Sequence, residues 1–133
     1  MSLPPHSAAQ SSQSNPKLPP PAISAETAAR LLAFRDARRW APKHNPKDLA
    51  ASIVIEAAEL LEVFQWSGDD LECRDKHEQM EDELADVFAY ALLLADRIGA
   101  SPDQILLKKL EKLEKKIRPR SAAEILCLRP TKH

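Results

Sequence analysis

At 133 residues, with 19 basic and 20 acidic side chains, the chain has room for one domain at most and a formal charge of −1. So even a balance gives no field for binding a nucleic-acid polymer or a membrane surface, and the longest apolar run, Val87 to Ala95, is far too short for a bilayer span. Only two glycines occur, strand-like alternation is absent, and Ala, Leu, Glu and Lys dominate, so the fold class expected is all-α.

Residues 1–23 hold six of the eleven prolines among Ser, Gln and Asn, a composition that cannot offset its ordering entropy by burial. A disordered tail is expected there, followed by a helical domain over 24–119 and a C-terminal tail or short helix over 120–133. The first helix is expected from Ala25 to Arg39, behind Ser24 as N-cap. Asn45 caps the second, Pro46 opens it, and Ser67-Gly68 closes it after Trp66. Asp75-x-x-Glu78 reads as an acidic capping box for the third, which stops at Gly99. Ser101-Pro102-Asp103-Gln104 starts the fourth, and Pro119 ends it near Ile117. Ser121-x-x-Glu124 suggests a short fifth helix.

Cys73 and Cys127 have neither metal nor redox spacing and read as reduced thiols. The first residues also lack a basic stretch followed by an apolar one, so a cytoplasmic location is expected. The second and third helices are apolar on nearly all sides, as in a bundle interior or a subunit interface. A homodimer is therefore expected.

Against that apolar background stand Glu56-x-x-Glu59 and Glu83-x-x-Asp86. Residues three apart share a helix face. Four carboxylates turned toward a helical interior repel one another unless a cation sits among them. An all-oxygen set suits a hard divalent ion, Mg²⁺ or else Mn²⁺. A di-iron bundle needs Glu-x-x-His pairs, and no histidine here has a Glu three residues before it. Glu62 extends the first series as a helper ligand or a rim charge. Magnesium commonly bridges carboxylates and substrate phosphates, which points to a phosphate ester or anhydride. His44, before the second helix, is placed to contact an anion near the helix N-terminus, or is a plain loop residue. Trp40 and Trp66 suit either the core or a stacked base. Tyr90, one turn beyond Asp86, serves the site or satisfies a buried bond. Of the fourth-helix cations Lys108, Lys109, Lys112, Lys115 and Lys116, most are surface charges and one or two reach phosphates.

Trp40-x-x-x-His44-x-Pro46-Lys47-x-Leu49, then Glu56-Ala-Ala-Glu59-Leu60-Leu61-Glu62-Val-Phe64-Gln65-Trp66, then Asp82-Glu83-Leu84-Ala85-Asp86-Val87 with Tyr90, resembles the MazG-like nucleoside triphosphate pyrophosphohydrolases. The branch approached is that of the small dCTP pyrophosphatases, and the likeness covers about residues 25–119. It implies a four-helix bundle completed by homo-oligomerisation, as a homodimer or a homotetramer, and Mg²⁺-dependent cleavage of a nucleoside triphosphate between its α- and β-phosphates. By residue, it places Glu56, Glu59, Glu83 and Asp86 on the metal, Trp40 and Trp66 around the base, and Tyr90 and Lys109 toward the phosphates. The family's Asn ahead of a Tyr-Pro is missing from Lys112–Pro119, and Leu31 stands where the dCTP-selective branch has a His. Both changes bear on selectivity rather than catalysis.

Glu59 is expected to be the catalytic base that accepts a proton from the attacking water. Two other readings compete with this one. One is a non-catalytic helical oligomerisation module, with its acids paired to the fourth-helix lysines. The other is a phosphoribosyl-ATP pyrophosphohydrolase, against which the two tryptophans argue.

Overall fold

In the structure, a computed structural model, residues 23–117 are described. The N-terminal tail over 1–22, the helix suggested after Ser121, and Cys127 lie outside the described residues. The described residues contain four α-helices and no strand: α1 Ala25–Ala37, α2 Pro46–Glu62, α3 His77–Arg97 and α4 Pro102–Lys116.

Three of the starts follow from local chemistry. Ser24 Oγ accepts the N–H of Thr27 at 3.1 Å, and Asn45 Oδ1 accepts that of Asp48 at 2.9 Å. At α4, Ser101 Oγ accepts the Gln104 N–H at 3.5 Å. Each satisfies one donor that a helix start leaves without a partner. The third start departs from expectation, because the Asp75 capping box does not form. Cys73 adopts left-handed φ of 42°, and a 3₁₀ turn over Arg74–Lys76 runs straight into α3 at His77. Asp75 therefore lies inside that turn, not at the cap. Asp70 orders the connection instead, accepting the N–H groups of Glu72 and Cys73 at 3.2 and 3.1 Å.

The ends of α1 and α3 share one device. After α1, Arg39 N–H donates to Asp36 O and Trp40 N–H to Arg35 O, with Arg39 at φ 55°. After α3, Gly99 and Ala100 repeat the pattern onto Asp96 and Ala95, with Gly99 at φ 66°. Both are Schellman caps. The first places an arginine where glycine is strain-free, and ends α1 two residues before the expected Arg39. Helix α2 likewise stops at Glu62, earlier than Trp66, the chain continuing in single turns to Trp66.

Helices α2 and α3 form an antiparallel hairpin that dominates the packing, and α1 lies against α3. Lys76 at the head of α3 donates through Nζ to the Val63 carbonyl at 3.1 Å, closing the end of α2. The buried apolar side chains are Leu49, Val63, Cys73, Leu93 and Ala95. Cys73 is a free thiol, as its spacing suggested. Leu49, 1 % exposed, is the most deeply buried side chain in this small core. Leu49→Ala should cost about 2–5 kcal/mol in a urea titration, from lost transfer energy plus the cavity. A loss below about 1 kcal/mol would show that the hairpin does not depend on this contact.

The four helices do not close into a bundle within one chain. Helix α4 stands away from the hairpin, with Ile105, Leu106, Leu107 and Leu110 each at least 43 % exposed. Val54 and Ile55 of α2 and Phe88 of α3 are also exposed. No helix among the described residues is long and apolar enough to cross a membrane.

Candidate active site

The acids of the second and third helices meet where α2 and α3 run side by side. One carboxylate oxygen each from Glu56, Glu59 and Glu83 lies within 4.8 Å of the others. Periodicity explains the grouping. Glu56 and Glu59 occupy one face of α2, and Glu83 comes from the facing turn of α3. Contrary to the expected burial, none of the acids is fully inside. Glu56 and Glu83 are half-buried, while Glu59 and Asp86 are exposed, with α4 standing away from the hairpin.

Partial burial, then the charges of Glu59, Asp86 and Glu83, hold the Glu56 carboxyl above its usual range. Glu83 is raised by partial burial and by Glu59 and Asp86. Among the described residues no ion pair joins these acids to a lysine of α4. Three oxygen donors from two helices, crowded and without a cationic partner, form the ligand set that hard divalent ions take.

The sign of the pH effect follows. A carboxyl raised in the folded state contributes stability at pH below its unfolded value of 4.5, and that stability is lost as pH rises through the raised value. The metal-free protein should therefore melt at lower temperature as pH climbs from about 4.5 toward neutrality. Removing the Glu59 charge with Glu59→Gln should flatten the curve. Superimposable pH profiles for the two proteins would contradict this electrostatic account.

Beside the acids lies a cleft of about 300 Å³, lined by Leu31, Phe34, Arg35, Trp40, Asp86, Ala89, Tyr90 and Leu93. Asp86 is common to both, lining the cleft while its charge reaches Glu56 and Glu83. Trp40 meets Phe34 edge-to-face at 5.7 Å, and the Arg38 guanidinium sits 3.3 Å from the Phe34 ring centre. His44 stacks obliquely on Trp40 at 6.1 Å, and its buried Nδ1 has no hydrogen-bond partner among the described residues.

Of the residues singled out in the sequence, the structure gathers Glu56, Glu59, Glu83, Asp86, Trp40 and Tyr90, with His44 behind Trp40. It does not bring Trp66 or Lys109 to them. Trp66 is 85 % exposed in the turn after α2, and Lys109 lies exposed on α4. Sequence reasoning missed Phe34 and Arg35. Their signal was present, since Leu31, Phe34 and Arg35 stand at i, i+3 and i+4 on one face of α1.

Fold and site together define an all-helical protein with an acidic two-helix centre opening beside an aromatic cleft. The family model described as MazG-like matches residues 51–125, and the chain belongs to that family. dCTP pyrophosphatase 1 of Mus musculus is 31 % identical over 97 residues, 68 % of this chain and 57 % of that protein. Its counterpart from Bos taurus is 33 % identical over 92 residues, 65 % of this chain and 54 % of that protein. The chain thus spans little more than half the length of these relatives. A pyrophosphatase from Archaeoglobus fulgidus, known from its crystal structure, is 42 % identical with a TM-score of 0.65, over 71 % of this chain and 91 % of that one.

Proposed function

We propose that the protein is a Mg²⁺-dependent nucleoside triphosphate pyrophosphohydrolase, releasing a nucleoside monophosphate and pyrophosphate. The observation that carries this reading is the convergence of Glu56, Glu59 and Glu83 within 4.8 Å, at the edge of a cleft walled by Trp40 and Tyr90. The likeness to dCTP pyrophosphatases and to an archaeal pyrophosphatase supports it.

Glu56, Glu59, Glu83 and Asp86 would hold the metal, whose donor set of carboxylate oxygens fits Mg²⁺ or Mn²⁺. When bound, the metal neutralises the triphosphate and the acids and lowers the pKa of a coordinated water. Glu59, the exposed member of the trio, would accept a proton from the attacking water. Trp40 offers a ring face to the base, and Tyr90 a hydroxyl at the cleft's Asp86 end. His44 steadies the far side of Trp40. Leu31 contributes no hydrogen-bonding group to the cleft, so the base is selected by shape and stacking more than by its polar edge. Trp66 and Lys109 reach substrate only if a second copy of the chain brings them there. The assembly proposed is accordingly a homodimer or homotetramer, with a role in clearing nucleotide pools.

The test is pyrophosphate release from a panel of canonical and modified dNTPs and NTPs, with Mg²⁺ and with EDTA. Metal-dependent release with a monophosphate as co-product is expected. A folded protein that releases pyrophosphate from none of them would overturn the proposal and favour the non-catalytic module.

A further inference from the structure

One polar link ties the Trp40 wall of the cleft to the helix that carries Asp86 and Tyr90. Arg35 of α1 donates through Nη1 to Asp96 Oδ2 of α3 at 2.6 Å, and through Nε to Asp36 Oδ1 at 2.9 Å. Its side chain is only 13 % exposed and lines the cleft. The backbone of the same residue holds the tryptophan, since the Arg35 carbonyl accepts the N–H of Trp40 at 3.2 Å. The aromatic neighbours of Trp40, Phe34 and His44, belong to α1 and to the segment after it. Among the described residues helix α1 has no fully buried residue, and its main packing is against α3. Trp40 therefore keeps its distance from Asp86 and Tyr90 through the join between α1 and α3, where the charge-assisted pair is the directional contact.

We propose that the Arg35–Asp96 ion pair is a latch that sets the width of the cleft, making both positioning residues for the nucleoside part of the substrate. This rests on the reading of the cleft as the base site. Glu56, Glu59 and Glu83 come from α2 and α3 and do not line the cleft, so the latch acts on binding and leaves the trio's part in the reaction alone.

Asp96→Ala should raise KM about tenfold with kcat within about twofold, and weaken calorimetric binding of dCMP by the same factor. Asp96→Glu, which can remake the pair, should recover most of the loss. Asp96→Asn keeps the shape and an acceptor, and should fall between. Unchanged KM and dCMP affinity in folded Asp96→Ala or Asp96→Asn would overturn the latch, as would a fall in kcat at constant KM. Failure of both variants to fold would make the pair a stability element and overturn the positioning role. The two proposals fail separately. If wild type hydrolyses no triphosphate yet binds dCMP, and the variants bind it more weakly, the hydrolysis reading falls and the latch stands. If hydrolysis proceeds and the variants bind dCMP like wild type, only the latch falls.

Discussion

Glu59→Gln should reduce metal-dependent pyrophosphate release by about 10²–10⁴-fold, the usual contribution of a positioned general base. The fold should survive, because Glu59 is exposed and makes no ion pair among the described residues. Its charge is a source of strain, since it raises both Glu56 and Glu83. The variant should therefore melt at or above the wild-type temperature without metal, while losing turnover. That combination separates a catalytic loss from unfolding. Near-full turnover in a well-folded Glu59→Gln would remove Glu59 from the role of base and shift attention to Glu56 or Glu83.

Addition of Mg²⁺ should raise the melting temperature, by an amount fixed through mass action. At a hundredfold excess over Kd the gain is about 2.7 kcal/mol, or about 10 °C or more for a domain of this size. Glu56→Gln and Glu83→Gln should each lose most of that gain, since each removes an oxygen donor from the trio. NaCl at matched ionic strength is the control, because screening alone relieves part of the repulsion among exposed acids. An equal rise with NaCl, or no rise with Mg²⁺, would leave the acids as a crowded surface cluster and count against a metal centre.

What could be read from the sequence was mostly local. Ser24, Asn45-Pro46 and Ser101-Pro102 cap helices through bonds spanning three residues, so the starts of α1, α2 and α4 were legible. Asp75 misled because the competing 3₁₀ turn depends on the left-handed Cys73 and on Asp70, neither of which composition reveals. Glu56, Glu59 and Glu83 were legible because acids inside apolar helical runs need a reason. The cleft was legible only in part. Trp40 and Tyr90 could be named, but Phe34 and Arg35 join them through the crossing of α1 on α3, a tertiary fact. Trp66 and Lys109 were candidates by residue type, and only the resemblance placed them on the substrate. Their distance from the cleft reflects the path of the turn after α2 and the stand-off of α4, which no local pattern encodes.

The exposed apolar row of α4 turns a denaturant titration into a ruler for the folded unit. The slope of stability against urea scales with the surface uncovered on unfolding. A lone chain with five buried apolar side chains among the described residues, and α4 standing away from the hairpin, has little to uncover, so its transition should be broad and its midpoint independent of concentration. A steep transition whose midpoint climbs with protein concentration would instead mark unfolding coupled to dissociation, with Ile105, Leu106, Leu107 and Leu110 covered in the native assembly.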